Sequence, residues 1–169
     1  MKKLIKIISL SFLIMSCGPQ YGQITPDMRK FMNQHNAPLL ITGVSLSSSN
    51  SVGGRDVIMN LEITSEKTIK YIFPSFSAYN EVNDKINCTI RDYNIFEGKA
   101  TGPYNKESKK SVFYWENAYY NWSAHCVELV EVTIEYVDGT IDKYSTSDEI
   151  SKLYAPQEFQ RTVGIGCNF

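Results

Sequence analysis

Two histidines, four cysteines, a few carboxylate pairs and one dense run of aromatic rings are the groups through which this 169-residue chain could do chemistry. His35 and His125 have no partner at metal-ligand spacing, since neither H-E-x-x-H nor a paired C-x-x-C is present. His125 and Cys126 are adjacent in an extended run, where successive side chains point to opposite faces, so they cannot act as base and nucleophile for each other. No G-x-S-x-G elbow accompanies the serines. Glu131 and Glu135 lie four residues apart, about 13 Å along a strand, wider than the carboxyl pair of either glycosidase geometry. They read as a solvated sheet face. Asp138 and Asp142 flank a turn without the ligand density of a calcium loop. With no convergent acid, base and nucleophile, the chain reads as non-enzymatic and without cofactor; a hydrolase with an unrecognised site is the outlying alternative.

The aromatic run is Phe113, Tyr114, Trp115, Tyr119, Tyr120 and Trp122, interleaved with Glu116, Asn117 and Asn121. Rings with amide neighbours can stack on sugars or anchor a protein partner. The competing reading places Trp115 and one phase of this run in the core, with Tyr119 and Tyr120 covering its end. Tyr119, Tyr120 and Trp122 are the candidate binding surface, and Tyr119 with Trp122 is the pair expected to be exposed.

The chain opens with Lys2, Lys3 and Lys6, followed by an apolar run from Ile7 to Met15 that stops before Gly18 and Pro19. That is the pattern of a secretory signal, and it is too short for a membrane span of about 20 residues. Ile14-Met15-Ser16-Cys17 resembles the lipobox of bacterial lipoproteins. The resemblance implies diacylglycerol on Cys17, cleavage after Ser16, and often acylation of the new amino group, such as by palmitate. Two or more chains at about 0.8 kcal/mol per buried CH₂ give a durable anchor.

The signal carries three of the seventeen basic residues and none of the eighteen acidic ones, so the mature chain is net acidic. A nucleic-acid footprint is absent. With Cys17 lipidated, Cys88, Cys126 and Cys167 remain in an oxidising compartment. Cys88 and Cys126 both lie in strand-like runs, and a bridge between them would be worth about 4 kcal/mol in the chain-entropy model. Alternatively both are small buried apolar residues.

The elements that must position these groups follow from local pattern. Residues 1–16 read as signal peptide and 17–24 as a lipidated tether. Residues 25–37 form a short helix with Thr25 as N-cap, Pro26 in the first turn, and Met28, Phe31, Met32 and His35 on one face. Residues 38–155 form the main domain. Strands are expected over 39–46, 56–64, 68–79, 85–92, 111–117, 126–136 and 140–144, the second alternating Val57, Met59, Leu61 and Ile63 against polar neighbours. Pro74 implies an edge position or a bulge. In 126–136 Val130, Val132, Ile134 and Tyr136 are read as inward, with a bulge near Leu129-Val130 absorbing the phase of Val127 and Leu129.

The stretch 94–110 reads as an irregular solvated loop. Asp138-Gly139 marks a hairpin, and Thr146-x-x-Glu149 a capping box opening a short helix that runs to about Tyr154. Residues 156–169 read as a loose tail. The pattern is all-β: an antiparallel β-sandwich with a short helix at each end.

Residues 44–152 resemble a group of bacterial immunoglobulin-like or fibronectin-like sandwich domains. The likeness is carried by Lys67-Thr68-Ile69-Lys70-Tyr71-Ile72, Tyr79-Asn80 with Val82, Thr101-Gly102-Pro103, Trp115-Glu116-Asn117-Ala118 with Tyr120-Asn121, and Glu135-Tyr136-Val137-Asp138-Gly139-Thr140. It implies an adhesive, spacer or partner-binding module and transfers no catalytic residue. The expectation is a lipoprotein of the bacterial cell envelope, on the outer membrane rather than the inner, held to the membrane through Cys17. Its domain binds or spaces another envelope protein, with glycan binding through the exposed aromatics as the alternative.

Overall fold

The computed structural model describes residues 25–34, 36–108, 111–159 and Cys167. The signal segment, Cys17, the tether, His35 and most of the tail lie outside the described residues.

Helix α1 (Pro26–Gln34) starts where the cap predicts, with the Met28 N–H donating to Thr25 Oγ1 at 3.1 Å. Among the described residues nine strands follow: β1 (Leu39–Leu46), β2 (Gly54–Ile63), β3 (Ile69–Tyr79), β4 (Lys85–Ile86), β5 (Ile95–Glu97), β6 (Ala100–Tyr104), β7 (Ser111–Tyr120), β8 (Cys126–Tyr136) and β9 (Ile141–Tyr144). Helix α2 (Ser147–Ser151) and a 3-10 turn (Gln157–Phe159) close the described chain.

The strands form two antiparallel sheets. One has the order β1-β2-β7; in the other, β4-β3-β8-β9, β5 and β6 also pair with β3, along the edge that β4 occupies. One hydrophobic cluster joins the sheets, with Ile41, Val57, Met59 and Leu61 from the first and Ile72, Phe76, Val132 and Ile134 from the second. The period-two alternation of β2 is what puts Val57, Met59, Leu61 and Ile63 on that face.

Strand β1 is buried on both faces. Leu39 and Ile41 belong to the main cluster, while Leu40 packs with Met28 of α1 and Ala155. After α2 the chain runs alongside β1, the Ile41 N–H donating to Leu153 O (2.6 Å) and the Ala155 N–H to Ile41 O (2.8 Å). Helix α2 opens on the predicted capping box at Thr146 and Glu149 but ends at Ser151, because the next residues are taken by that bridge.

Several expectations are corrected. The stretch 94–110 is not one loop: β5 and β6 both pair with β3, and only residues 105–108 form the polar turn. Phe96 holds β5 in place against Phe76 and Trp115, with ring centroids 6.5 and 6.4 Å away. Pro74 lies in a central strand, yet its carbonyl accepts from Gly98 between β5 and β6. Its ring nitrogen, on the same edge as its carbonyl, therefore falls at the break between two short partners, where no ladder donor is needed. The β8 bulge falls on Val130: Ser75 pairs with Glu131 and Phe76 with Leu129. Val130 is consequently only half-buried, whereas Val127 and Leu129 join Val132, Ile134 and Tyr136 inside.

The cysteine pairing also differs. Cys126 is joined to Cys167, with Cα atoms 5.2 Å apart, and Cys88 is a buried free thiol. Tyr79 of β3 pairs with Cys126 on one side and with Lys85 of β4 on the other. Two strand spacings, about 9.6 Å, therefore separate the neighbourhoods of Cys88 and Cys126, beyond the ~7 Å that a disulfide can bridge.

Candidate functional site: the turn end

At one end of the sheets three connections carry the same device, an asparagine that binds its own turn. Between β1 and β2, the Asn50 N–H donates to Gly54 O (2.8 Å) and the Gly53 N–H to Asn50 O (3.1 Å). Asn50 Oδ1 accepts from the N–H groups of Val52 (3.0 Å) and Gly54 (2.8 Å). Between β3 and β4 the pattern recurs bond for bond. Asn80 N–H donates to Asp84 O (3.0 Å), Asn83 N–H to Asn80 O (3.1 Å), and Asn80 Oδ1 accepts from Val82 (3.0 Å) and Asp84 (2.8 Å).

The fourth residue of each turn has positive φ, +80° at Gly53 and +65° at Asn83, a conformation suited to glycine and asparagine. Between β7 and β8, Asn121 Oδ1 accepts from the Ser123 N–H (2.9 Å) and Oγ (2.7 Å), and the Ala124 N–H donates to Asn121 O (3.2 Å). Asparagine suits these places because its side chain substitutes for a backbone acceptor two residues on.

Each turn holds an apolar side chain out in solvent: Val52 (63 % exposed), Val82 (74 %) and Trp122 (65 %). The turns are also tied to one another and to the sheets. The Asn121 N–H donates to Gly53 O (3.2 Å), Asn121 Nδ2 to Asn87 O (2.9 Å), Asn50 Nδ2 to Asn117 Oδ1 (2.9 Å), and the His125 N–H to Tyr79 O (2.8 Å). Such bracing lowers the ordering cost of binding.

Trp122 lies over Gly53. A Cβ built on that glycine would stand 2.9, 3.0 and 3.3 Å from Nε1, Cε2 and Cδ1 of the indole. Near-equal distances to three consecutive ring atoms mean approach over the ring rather than toward its edge. Beside Trp122 opens a cleft of about 380 Å³, lined by Arg55, Asn80, Glu81, Val82, Trp122, Ser123, Ala124 and His125. The Arg55 guanidinium donates through Nη1 to Ser47 O at 3.1 Å, while its Nε is buried without an acceptor. Among the described residues no carboxylate comes within ion-pair distance of it; Glu81 instead faces His125 Nδ1 at 3.8 Å.

The expected site residues separate. Tyr119 is fully buried, which overturns its expected exposure. Its hydroxyl donates to Phe76 O (2.6 Å) and accepts from the Phe96 N–H (3.3 Å), and its ring meets Tyr93 edge-on at 5.8 Å. Burial pushes its phenol well above the ordinary range, so it serves as a neutral donor. Tyr120 is half-buried, with the Arg91 guanidinium 5.7 Å from its ring centroid. Only Trp122 of the three stands fully in solvent at the cleft. Cys88 lies in the core; burial pushes its thiol up, but backbone N–H groups of Tyr120, Arg91 and Ile90 bring it net below its ordinary value.

Glu131 and Glu135 sit outward and pair with Lys143 (2.9 Å) and Lys70 (2.6 Å). Arg55, Val52 and Val82 were not among the expected site residues. Their signal was the spacing Asn50-x-Val52-Gly53 repeated as Asn80-x-Val82-Asn83. No protein-family model, no curated protein and no solved structure matches this chain, so a functional reading rests on the geometry of the turn end.

Proposed function

We propose that this chain is a lipid-tethered, non-catalytic binding module of the bacterial cell envelope. In this reading the two sheets are an immunoglobulin-like sandwich, Cys17 carries the lipid, and the outer membrane is the expected location. The turn end engages a neighbouring envelope protein. The observation that carries the reading is a pair of hydrogen-bonded turns that hold Val82 and Trp122 in solvent on one cleft, with Val52 exposed on the third turn, the one that supports the Trp122 indole. An exposed tryptophan beside an arginine is the usual make-up of a hot spot, and the exposed valines enlarge the apolar patch around it.

A glycan is the second reading, favoured by the indole lying over Gly53 beside polar groups. Two experiments test the proposal. A photo-reactive phenylalanine analogue at Val82 should crosslink a specific envelope protein in the native host, and the same analogue at Ile141, at the other end of the sheets, should not. Cys17→Ala should abolish fatty-acid labelling and membrane retention. Equal crosslinking from both ends, or retention without Cys17, would remove the corresponding half of the reading.

A further inference from the structure

We infer that the cleft between Trp122 and Arg55 binds a pyranose that carries a carboxylate, such as a uronic acid unit of an envelope polysaccharide. This rests on the turn end being the binding end, and it takes the glycan reading further by naming the class of sugar. Three observations converge on it.

The first is the platform. Trp122 is 65 % exposed, and one face of its indole is occupied by the Gly53 backbone. The outward face is a flat apolar surface fixed by a turn that has no freedom to fold over it, the form of support on which the C–H face of a sugar ring stacks. Gly53 suits the position twice over: its φ of +80° disfavours a side chain, and any Cβ there would meet the indole.

The second is the charge. Arg55 lines the cleft, gives one bond through Nη1 to Ser47 O, and has no carboxylate within ion-pair distance among the described residues. A guanidinium offers a planar fork suited to two carboxylate oxygens. Glu81 does not fill that role, because it stands on the His125 side of the cleft, 84 % exposed. A negative group on the ligand is thereby steered to Arg55 and away from Glu81.

The third is the size and the remaining polarity. About 380 Å³ lies within the range of small-ligand sites. His125 and Ser123 supply ring nitrogen and hydroxyl oxygen for sugar hydroxyls, the Ser123 proton being already committed to Asn121 Oδ1.

The full-length chain in detergent micelles should be titrated calorimetrically with methyl glucuronide, methyl galacturonide, N-acetylneuraminic acid and, as neutral control, methyl glucoside. The expected result is binding of at least one acidic sugar, weakened about tenfold or more by Trp122→Ala, by Arg55→Gln, or by the neutral control, a tenfold change being about 1.4 kcal/mol. Trp122 is exposed, so its alanine variant folds and keeps the test valid should Arg55→Gln prove unstable. Equal binding of neutral and acidic sugars overturns the assignment of Arg55. Absence of binding by every sugar, with turn-end crosslinking to a protein intact, overturns the inference and leaves the binding end standing. Absence of both overturns the two together.

Discussion

The two ends of the sheets use the same turn chemistry to different effect. At the far end, Asp138 Oδ1 accepts from the Thr140 N–H (2.9 Å) and hydroxyl (2.6 Å), Gly139 takes φ +83°, and Val137 is 62 % exposed. The backbone bonds of that hairpin, Tyr136 N–H to Thr140 O and Gly139 N–H to Tyr136 O, match those of the Asn50 and Asn80 turns, with the side-chain acceptor two residues later. The difference lies in the surroundings. Lys67 pairs with Asp138 (3.0 Å) and donates to Thr140 Oγ1 (3.0 Å), and Lys106 pairs with Glu66. Charges there are matched among themselves, and nothing lies within 4 Å of a Cβ placed on Gly139. At the turn end Val82 and Trp122 line a cleft, and among the described residues no carboxylate lies within ion-pair distance of Arg55. An exposed valine is ordinary; one that shares a cleft with an exposed indole and a guanidinium is not.

The comparison can be broken most forcefully from beneath. Tyr119 supports the turn end from the core, touching Tyr93 and Phe96 and bonding the β3 backbone. Tyr119→Ala should cost about 3 to 5 kcal/mol, read as a shift in the urea midpoint. Tyr119→Phe, which leaves Phe76 O without this donor, should cost about 1 to 2 kcal/mol.

A pair of glycine substitutions sharpens the contrast between the ends. Gly139→Ala meets only the backbone penalty of a positive φ, about 1 kcal/mol. Gly53→Ala carries that penalty and also displaces the indole, so it should be the more destabilising and should shift Trp122 fluorescence. Equal costs with unchanged emission would refute the stacked placement.

Removing exposed groups should leave folding almost untouched. Trp122→Ala at one end and Val137→Ser at the other should each change stability by less than about 0.5 kcal/mol, while only the former weakens ligand binding.

The smallest effect is electrostatic. Hydrogen bonds from the Thr140 hydroxyl and N–H, then from Lys67, hold the Asp138 carboxyl down at about 2. A depressed carboxyl contributes stability that is complete above its ordinary value near 3.8 and lost as pH falls through about 2. The group is fully exposed, so its measurable signature is a low titration midpoint in carbon NMR. Thr140→Val should raise that midpoint more than Lys67→Ala does.

How much was legible follows from the range of each interaction. The Thr25 cap, the Thr146–Glu149 box, the Asp138-Gly139 hairpin, the alternation of β2 and the β8 bulge were readable because each is decided within a few residues. The cysteine pairing was not, since it depends on which edge of β3 receives β4. Nor were β5 and β6: their composition is that of a loop, and they become strands because β3 offers an edge and Trp115 packs where Gly98 leaves room. Tyr119 was misplaced although its signal was available. It lies four residues beyond Trp115, and period-two counting puts both on the inner face. Arg55 drew no notice as a lone basic residue, because its meaning depends on carboxylates that stand elsewhere.

Strand β1 enters the sheet at the end away from the three turns and runs antiparallel to β2 through Leu39–Leu46. A molecule held by a lipid at its beginning and gripped at the turns would therefore be stretched along β1, parallel to its axis. Ladder bonds lie across the strand, so such a pull loads them side by side in shear instead of opening them one after another. The order of the strands thus lets the sheets resist a pull applied along β1 between their two ends.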